Sequence, residues 1–176
     1  VNTLWNTKLE DQHILQVSML NRLCLITLSI MLLNACGEPE KKKNPTETKG
    51  RVLEYTNTLS FLNTDGEVVS TLRFVKADDE AERNQGLMDV NSMPSDAGMV
   101  FYFDNEEPLS FYMMNTPLSL DIMYVNADSV IVNIYKSTTP FSSKTLPSGE
   151  PAKYVVETNA GYSISNDIKE GMKVRF

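Results

Sequence analysis

From Thr58 to the end of the chain, apolar positions come in short runs that alternate with polar ones, and turn-forming residues separate the runs. In "TLSFLNTDGEVVSTLRFVKA", Asp65-Gly66 lies between two such runs, a hairpin signal in which glycine supplies the positive φ of a tight turn. "DDEAERNQG" breaks the period. Asp79 followed three residues later by Glu82 forms a capping box and Gly86 offers a stop, so a short helix is expected over residues 80–85. Beyond it, "GMVFYF", "LSFYMMNT", "LDIMYVNA", "SVIVNIYKS" and "AKYVVET" are rich in β-branched and aromatic residues, with "DNEEP" and "NADS" as turns. A brief helical turn is expected after Gly161, before "MKVRF" closes the sheet. The pattern predicts a mainly β single domain, a β-sandwich or closed barrel with one short helix.

The stretch "SFYMMNTPLSLD", residues 110–121, is the least ordinary of these runs. Read as a strand through Thr116, it points Phe111, Met113 and Asn115 to one face and Tyr112, Met114 and Thr116 to the other. An amide buried beside two apolar groups needs hydrogen-bond partners, since leaving it unpaired costs roughly 1–3 kcal/mol. Asn115 is therefore expected to clamp neighbouring backbone at one end of a core strand, with Asp121 fixing the exit into the next. A polar handle at a pocket is the alternative.

Upstream, "MLNRLCLITLSIMLLNACGEPE" from Met19 carries one basic residue, Arg22, then the apolar run Leu23–Leu33, then small residues leading to Cys36. This is the layout of a secretory signal. The run rises only about 16 Å as a helix, short of the roughly 30 Å of a bilayer core, so a permanent transmembrane anchor is not expected. Its end, Leu33-Asn34-Ala35-Cys36, resembles the lipobox of bacterial lipoproteins, which implies cleavage before Cys36 and acylation of that cysteine. The expected organisation is an upstream extension over 1–18, a lipoprotein signal peptide over 19–35, a lipid-anchored flexible tether over 36–56 and the β domain over 57–176. The tether's "GEPEKKKNPTETKG" is polar, with two prolines and no apolar residue large enough to pack. Gly37 rather than aspartate after Cys36 favours, in a Gram-negative envelope, the periplasmic face of the outer membrane.

Charge and composition narrow the chemistry. From Val68 onward nine Lys/Arg oppose fifteen Asp/Glu, a balance of −6, which is no electrostatic footprint for nucleic acid. The single histidine, His13, and both cysteines, Cys24 and Cys36, precede the β domain. Ser-His-Asp and Cys-His mechanisms and the usual histidine or thiolate zinc sites are thereby excluded from it. No "GxxxxGK" or "GxGxxG" occurs. No cofactor, no metal and no catalytic residue is assigned. Met88, Met93, Met99, Met113, Met114 and Met123 offer soft thioethers suited to Cu(I), yet they form no M-x-M or M-x-x-M cluster, and core filling is the expectation. A carboxylate pair would draw on Asp121 with Asp96, Asp104, Glu106 or Glu107, most of which fall in turns.

Several blocks resemble a known family in their order. Glu82-Arg83-Asn84-Gln85-Gly86-Leu87-Met88, then Met93-Pro94, Gly98-Met99-Val100-Phe101, Phe111-Tyr112-Met113-Met114-Asn115-Thr116 and Leu120-Asp121 are similar to the signature of domain-of-unknown-function family 192. The resemblance covers about Leu72 to Phe176, including "PSGEPAKYVVETNAGY". It implies a compact, mainly β fold of jelly-roll-like sandwich type, often behind a signal peptide or lipobox, and no established activity. Met114 replaces the family's usual lysine and Ser119 its proline, with a proline displaced to Pro117.

Arg83 and Asp121 are shared with that signature. They are expected either to bridge helix and sheet through a planar guanidinium–carboxylate contact, or, with Asn115, to surround a cleft for a polar ligand flanked by Met88, Met99, Phe111 and Met113. The function expected is that of an envelope lipoprotein, a non-catalytic binding or accessory module. It would be held to the membrane through Cys36 and would engage an unknown small polar ligand or envelope protein. The alternatives are a carboxylate-dependent enzyme acting on cell-envelope carbohydrate and a methionine-based Cu(I)-binding periplasmic protein.

Overall fold

Seven strands and two short helices follow one another along the chain in a computed structural model that describes residues 50–176. The expected signal, Cys36 and most of the tether lie outside the described residues. The strands are β1 (Asn57–Leu62), β2 (Val68–Ala77), β3 (Ala97–Phe111), β4 (Leu120–Val125), β5 (Ile131–Tyr135), β6 (Leu146–Asn159) and β7 (Lys173–Arg175). Helix α1 (Glu80–Gln85) lies between β2 and β3, and α2 (Tyr162–Ser165) follows β6. The fold is mainly β, as the alternation predicts. Both short helical elements sit where the sequence places them.

Local chemistry accounts for the connections. In the β1–β2 hairpin Gly66 takes φ +83°, and the Asn63 side-chain oxygen accepts from the Asp65 and Glu67 amides. At α1 the Asp79 carboxylate accepts from the Glu82 amide at 2.7 Å while the Glu82 carboxylate accepts from the Asp79 amide, which completes the capping box.

The strands form one sheet in the order β5-β4-β6-β3-β2-β1-β7. β2 and β3 pair in parallel, joined by the crossover that carries α1; the other ladders are antiparallel. The sheet curls until its edges meet, where Val130 bridges Lys173 and the Ile131 amide donates to the Met172 carbonyl. Of the two expected arrangements, the observed one is a barrel-like single sheet. Its inner face packs Phe61, Leu72, Val100, Met123 and Val156 against Tyr162 and Ile168. Its outer face packs Met99, Phe101, Ile122, Tyr124 and Val155 beneath Leu87, Val90 and Met93 of the crossover. At the centre Gly98 of β3 lies so close to β6 that a Cβ there would fall 2.3 Å from the Glu157 carbonyl oxygen.

Candidate functional site

The outer face is incompletely covered. Between α1 and β3 a cleft of about 210 Å³ opens, walled by Leu87, Met88, Phe101, Phe103 and Phe111, with Arg83 and Thr116 also lining it. Gly86 makes the cleft possible at its helix end: it caps α1 at φ +46°, and a Cβ there would sit 3.3 Å from the Phe101 ring. The rings interlock edge to face, with Phe111 centred 4.9 Å from Phe101, 6.5 Å from Phe103 and 5.9 Å from Tyr124.

Glu157 of β6 enters this cleft from the sheet. It is 4% exposed, its ladder neighbours are Met99 on β3 and Ile122 on β4, and its carboxyl makes no hydrogen bond or ion pair with any described residue. Burial pushes its carboxyl up to about 8, because nothing nearby offsets the cost of a desolvated charge. Tyr124 is raised well above the usual phenol range, first by burial and then by the nearby Glu157 carboxyl. Its hydroxyl is committed to the Leu146 carbonyl. The other buried polar residue of the lining, Thr116, gives its hydroxyl to the Met114 carbonyl.

The three polar residues singled out from the sequence do not form one cluster. Arg83 lines the cleft, donating from Nη1 to the carbonyls of Asp78 at 2.7 Å and Tyr102 at 2.9 Å, with its guanidinium 5.4 Å above the Phe103 ring. It makes no bridge to Asp121. Asp121 lies on the opposite face of the sheet, fully buried, and accepts from the amides of Ser137 (2.8 Å), Gly161 (3.1 Å) and Ser163 (2.9 Å) and from the Ser163 hydroxyl (2.6 Å). That is a structural knot joining β4, the turn after β5 and the start of α2. With both oxygens engaged there, Asp121 has no free role in a carboxylate pair.

Asn115 departs furthest from expectation. β3 ends at Phe111, and the chain turns, with the Thr116 amide donating to the Met113 carbonyl. Asn115 sits in that turn at φ +54°, exposed, and it is its backbone carbonyl that accepts a hydrogen bond, from the Asp89 amide. Asparagine suits the position because it tolerates the left-handed region. The expected buried amide clamp is thus replaced by a backbone conformation. Of the flanking residues, Met88 and Phe111 line the cleft, Met99 packs beside Glu157, and Met113 is buried against the Thr138 hydroxyl. The methionines are split between the two faces, with Met93, Met99 and Met113 outside and Met123 inside. Among the described residues no three His, Cys, Asp or Glu side chains gather as a metal site.

Glu157 is the residue the sequence reading passed over. Its signal is present in "YVVET": if Val155 faces a core, so must Glu157, and an acid on a buried strand face is unusual.

The pattern of domain-of-unknown-function family 192 (DUF192, "Uncharacterized ACR") matches residues 60–176. The structure resembles a crystal structure of a candidate transcription regulator from Sinorhizobium meliloti, at 30% identity and TM-score 0.66, covering 71% of this chain and 97% of that one. It also resembles a protein of unknown function from Novosphingobium aromaticivorans, at 28% identity and TM-score 0.65, covering 74% and 94%. No curated relative matches.

Proposed function

Because the chain belongs to domain-of-unknown-function family 192, which is described only as uncharacterised, we propose from the cleft itself that the domain is a non-catalytic binding module for a small ligand. The observation that carries the reading is the Glu157 carboxyl, buried, unpartnered among the described residues and open only to the cleft. Nothing in the described chain takes up the hydrogen-bonding capacity of this carboxyl, so it is left for whatever enters the cleft. Apolar and aromatic walls with a few polar groups among them, here Arg83, Ser110 and Glu157, are the ordinary composition of a small-molecule site. The test is amide NMR of the ¹⁵N-labelled protein against small cationic, anionic and neutral fragments. Shifts should converge on Leu87, Met88, Phe101, Phe111 and Glu157; a panel in which no charge class moves these residues at millimolar concentration removes the binding reading.

The lipobox-like sequence at Cys36 supports placing this module in the cell envelope, anchored by acyl chains. No described helix is long and apolar enough to cross a membrane. Cys36→Ser should leave an uncut precursor that no longer partitions like wild type; unchanged processing and localisation would remove the anchor. The regulator description attached to the Sinorhizobium relative finds little support in a domain with a balance of −6 from Val68 onward. A second reading rests on Glu80, an exposed carboxyl lining the same cleft as Glu157. Two carboxyls lining one cleft are what a carbohydrate hydrolase requires. If envelope polysaccharide is cleaved and Glu157→Gln abolishes cleavage, that reading replaces the first.

A further inference from the structure

The ligand class follows from what Glu157 lacks, an inference that rests on the cleft being a binding site. Each element packed against this carboxyl can be searched for a countercharge. From the sheet, Met99 and Ile122 are apolar, and the Tyr124 phenol is committed to the Leu146 carbonyl. From α1, Arg83 spends Nη1 on two backbone carbonyls and lies over Phe103, while Glu80 is exposed and of like charge. From the turn after β3, Tyr112 is exposed. None of these pairs with Glu157. Asn84, Gln85, Ser110 and Thr116 also line the cleft but carry no charge, and the rings of Phe101, Phe103 and Phe111 have electronegative faces that attract a cation.

We propose that the cleft receives an organic ammonium group, seated against the Glu157 carboxylate beside the rings of Phe101 and Phe111. A carboxylate backed by aromatic rings is the composition that recognises alkylammonium head groups. The Arg83 guanidinium in the same lining disfavours a second positive charge, so the rest of the ligand is neutral or anionic. Binding moves a proton. In the empty cleft burial holds Glu157 protonated at neutral pH, with its carboxyl titrating near 8. The arriving ammonium stabilises the carboxylate, the O–H bond breaks, and one proton leaves to solvent as the ion pair forms. Affinity therefore rises about tenfold for each unit of increasing pH up to about 8 and levels off above it.

Calorimetric titration of the full chain with n-butylammonium tests this, beside 1-pentanol and pentanoate as neutral and anionic controls, at pH 6, 7 and 8.5 and in buffers of different ionisation enthalpy. The expected result is butylammonium binding that tightens about tenfold from pH 6 to pH 7, with close to one proton released, and that exceeds both controls. Glu157→Gln, which keeps size and hydrogen-bonding capacity, should abolish the preference and the proton release; Glu157→Asp should weaken binding but keep its pH dependence. An Nα-acetyl-lysine methylamide probe that binds more tightly than butylammonium points to a protein lysine side chain as the source, and equal affinity points to a free amine; either supports the ammonium site. Pentanoate or pentanol shifting the cleft residues while butylammonium does not would overturn the ammonium assignment and leave the binding site standing. Silence from all three probes would overturn both.

Discussion

Asp121 and Glu157 are both buried carboxyls on adjacent strands, one ladder step apart, since Asp121 pairs with Thr158 and Ile122 with Glu157. They point to opposite faces. Asp121 is surrounded by three amides and a hydroxyl that all donate to it; Glu157 has no donor among the described residues. The contrast shows that burial of an acid does not itself declare a role. A carboxylate whose lone pairs are filled by its own chain is part of the scaffold, whereas one facing an open apolar cleft is available to something else.

The largest effect expected from this difference is a pH dependence that belongs to Glu157. An ordinary glutamate titrates near 4.3 in the unfolded chain, and the folded group titrates near 8. Between those values the folded state holds more protons than the unfolded one, so stability is fully present at low pH and is lost as pH rises towards 8, by on the order of 5 kcal/mol. Glu157→Gln should flatten that slope and leave the variant more stable than wild type at pH 8.5. Urea unfolding at several pH values measures it. A variant that follows the wild-type slope would show that another group carries the dependence.

Asp121→Ala should act with the opposite sign, lowering stability by about 4 kcal/mol, because it orphans four donors on two segments at once. Its unfolding midpoint should fall while fragment-induced shifts in the cleft persist wherever the protein is folded. A loss below about 1 kcal/mol would mean that Asp121 is no more a scaffold group than Glu157.

Smaller effects come from the turn that ends the cleft wall. Asn115→Ala should cost about 1 kcal/mol through its left-handed backbone, and Asn115→Gly almost nothing, since glycine takes φ +54° without penalty. Were both variants equally destabilised, the side chain rather than the backbone would be at work. Met114→Lys, at a residue 46% exposed, should stay within about 0.5 kcal/mol.

Elements whose cause lies within a few residues were legible in the sequence. The hairpin at Asp65-Gly66, the capping box at Asp79 and the alternation of "LDIMYV" and "YVVET" each follow from local sterics, local hydrogen bonds or a period of two. The misreading at Asn115 shows where that logic stops. Alternation assumes that the strand continues, but Phe111 is the last residue of β3 on the ladder with β6, and beyond it Met113 donates to Ser142 from another loop. No local signal in "FYMMNT" announces that distant partner.

By itself the sequence determined the mainly β character, the strand faces and the acidic, histidine-free chemistry of the domain, because these depend on residue type and on periods of a few residues. The parallel pairing of β2 with β3, the curl that brings Val130 to Lys173 and the separation of Arg83 from Asp121 were decided only by tertiary structure. So was the difference between the two carboxyls. Glu157 and Asp121 both read as acids on buried strands, and whether an acid is satisfied depends on which distant backbone amides the fold carries to it: Ser137, Gly161 and Ser163 for one, and none among the described residues for the other.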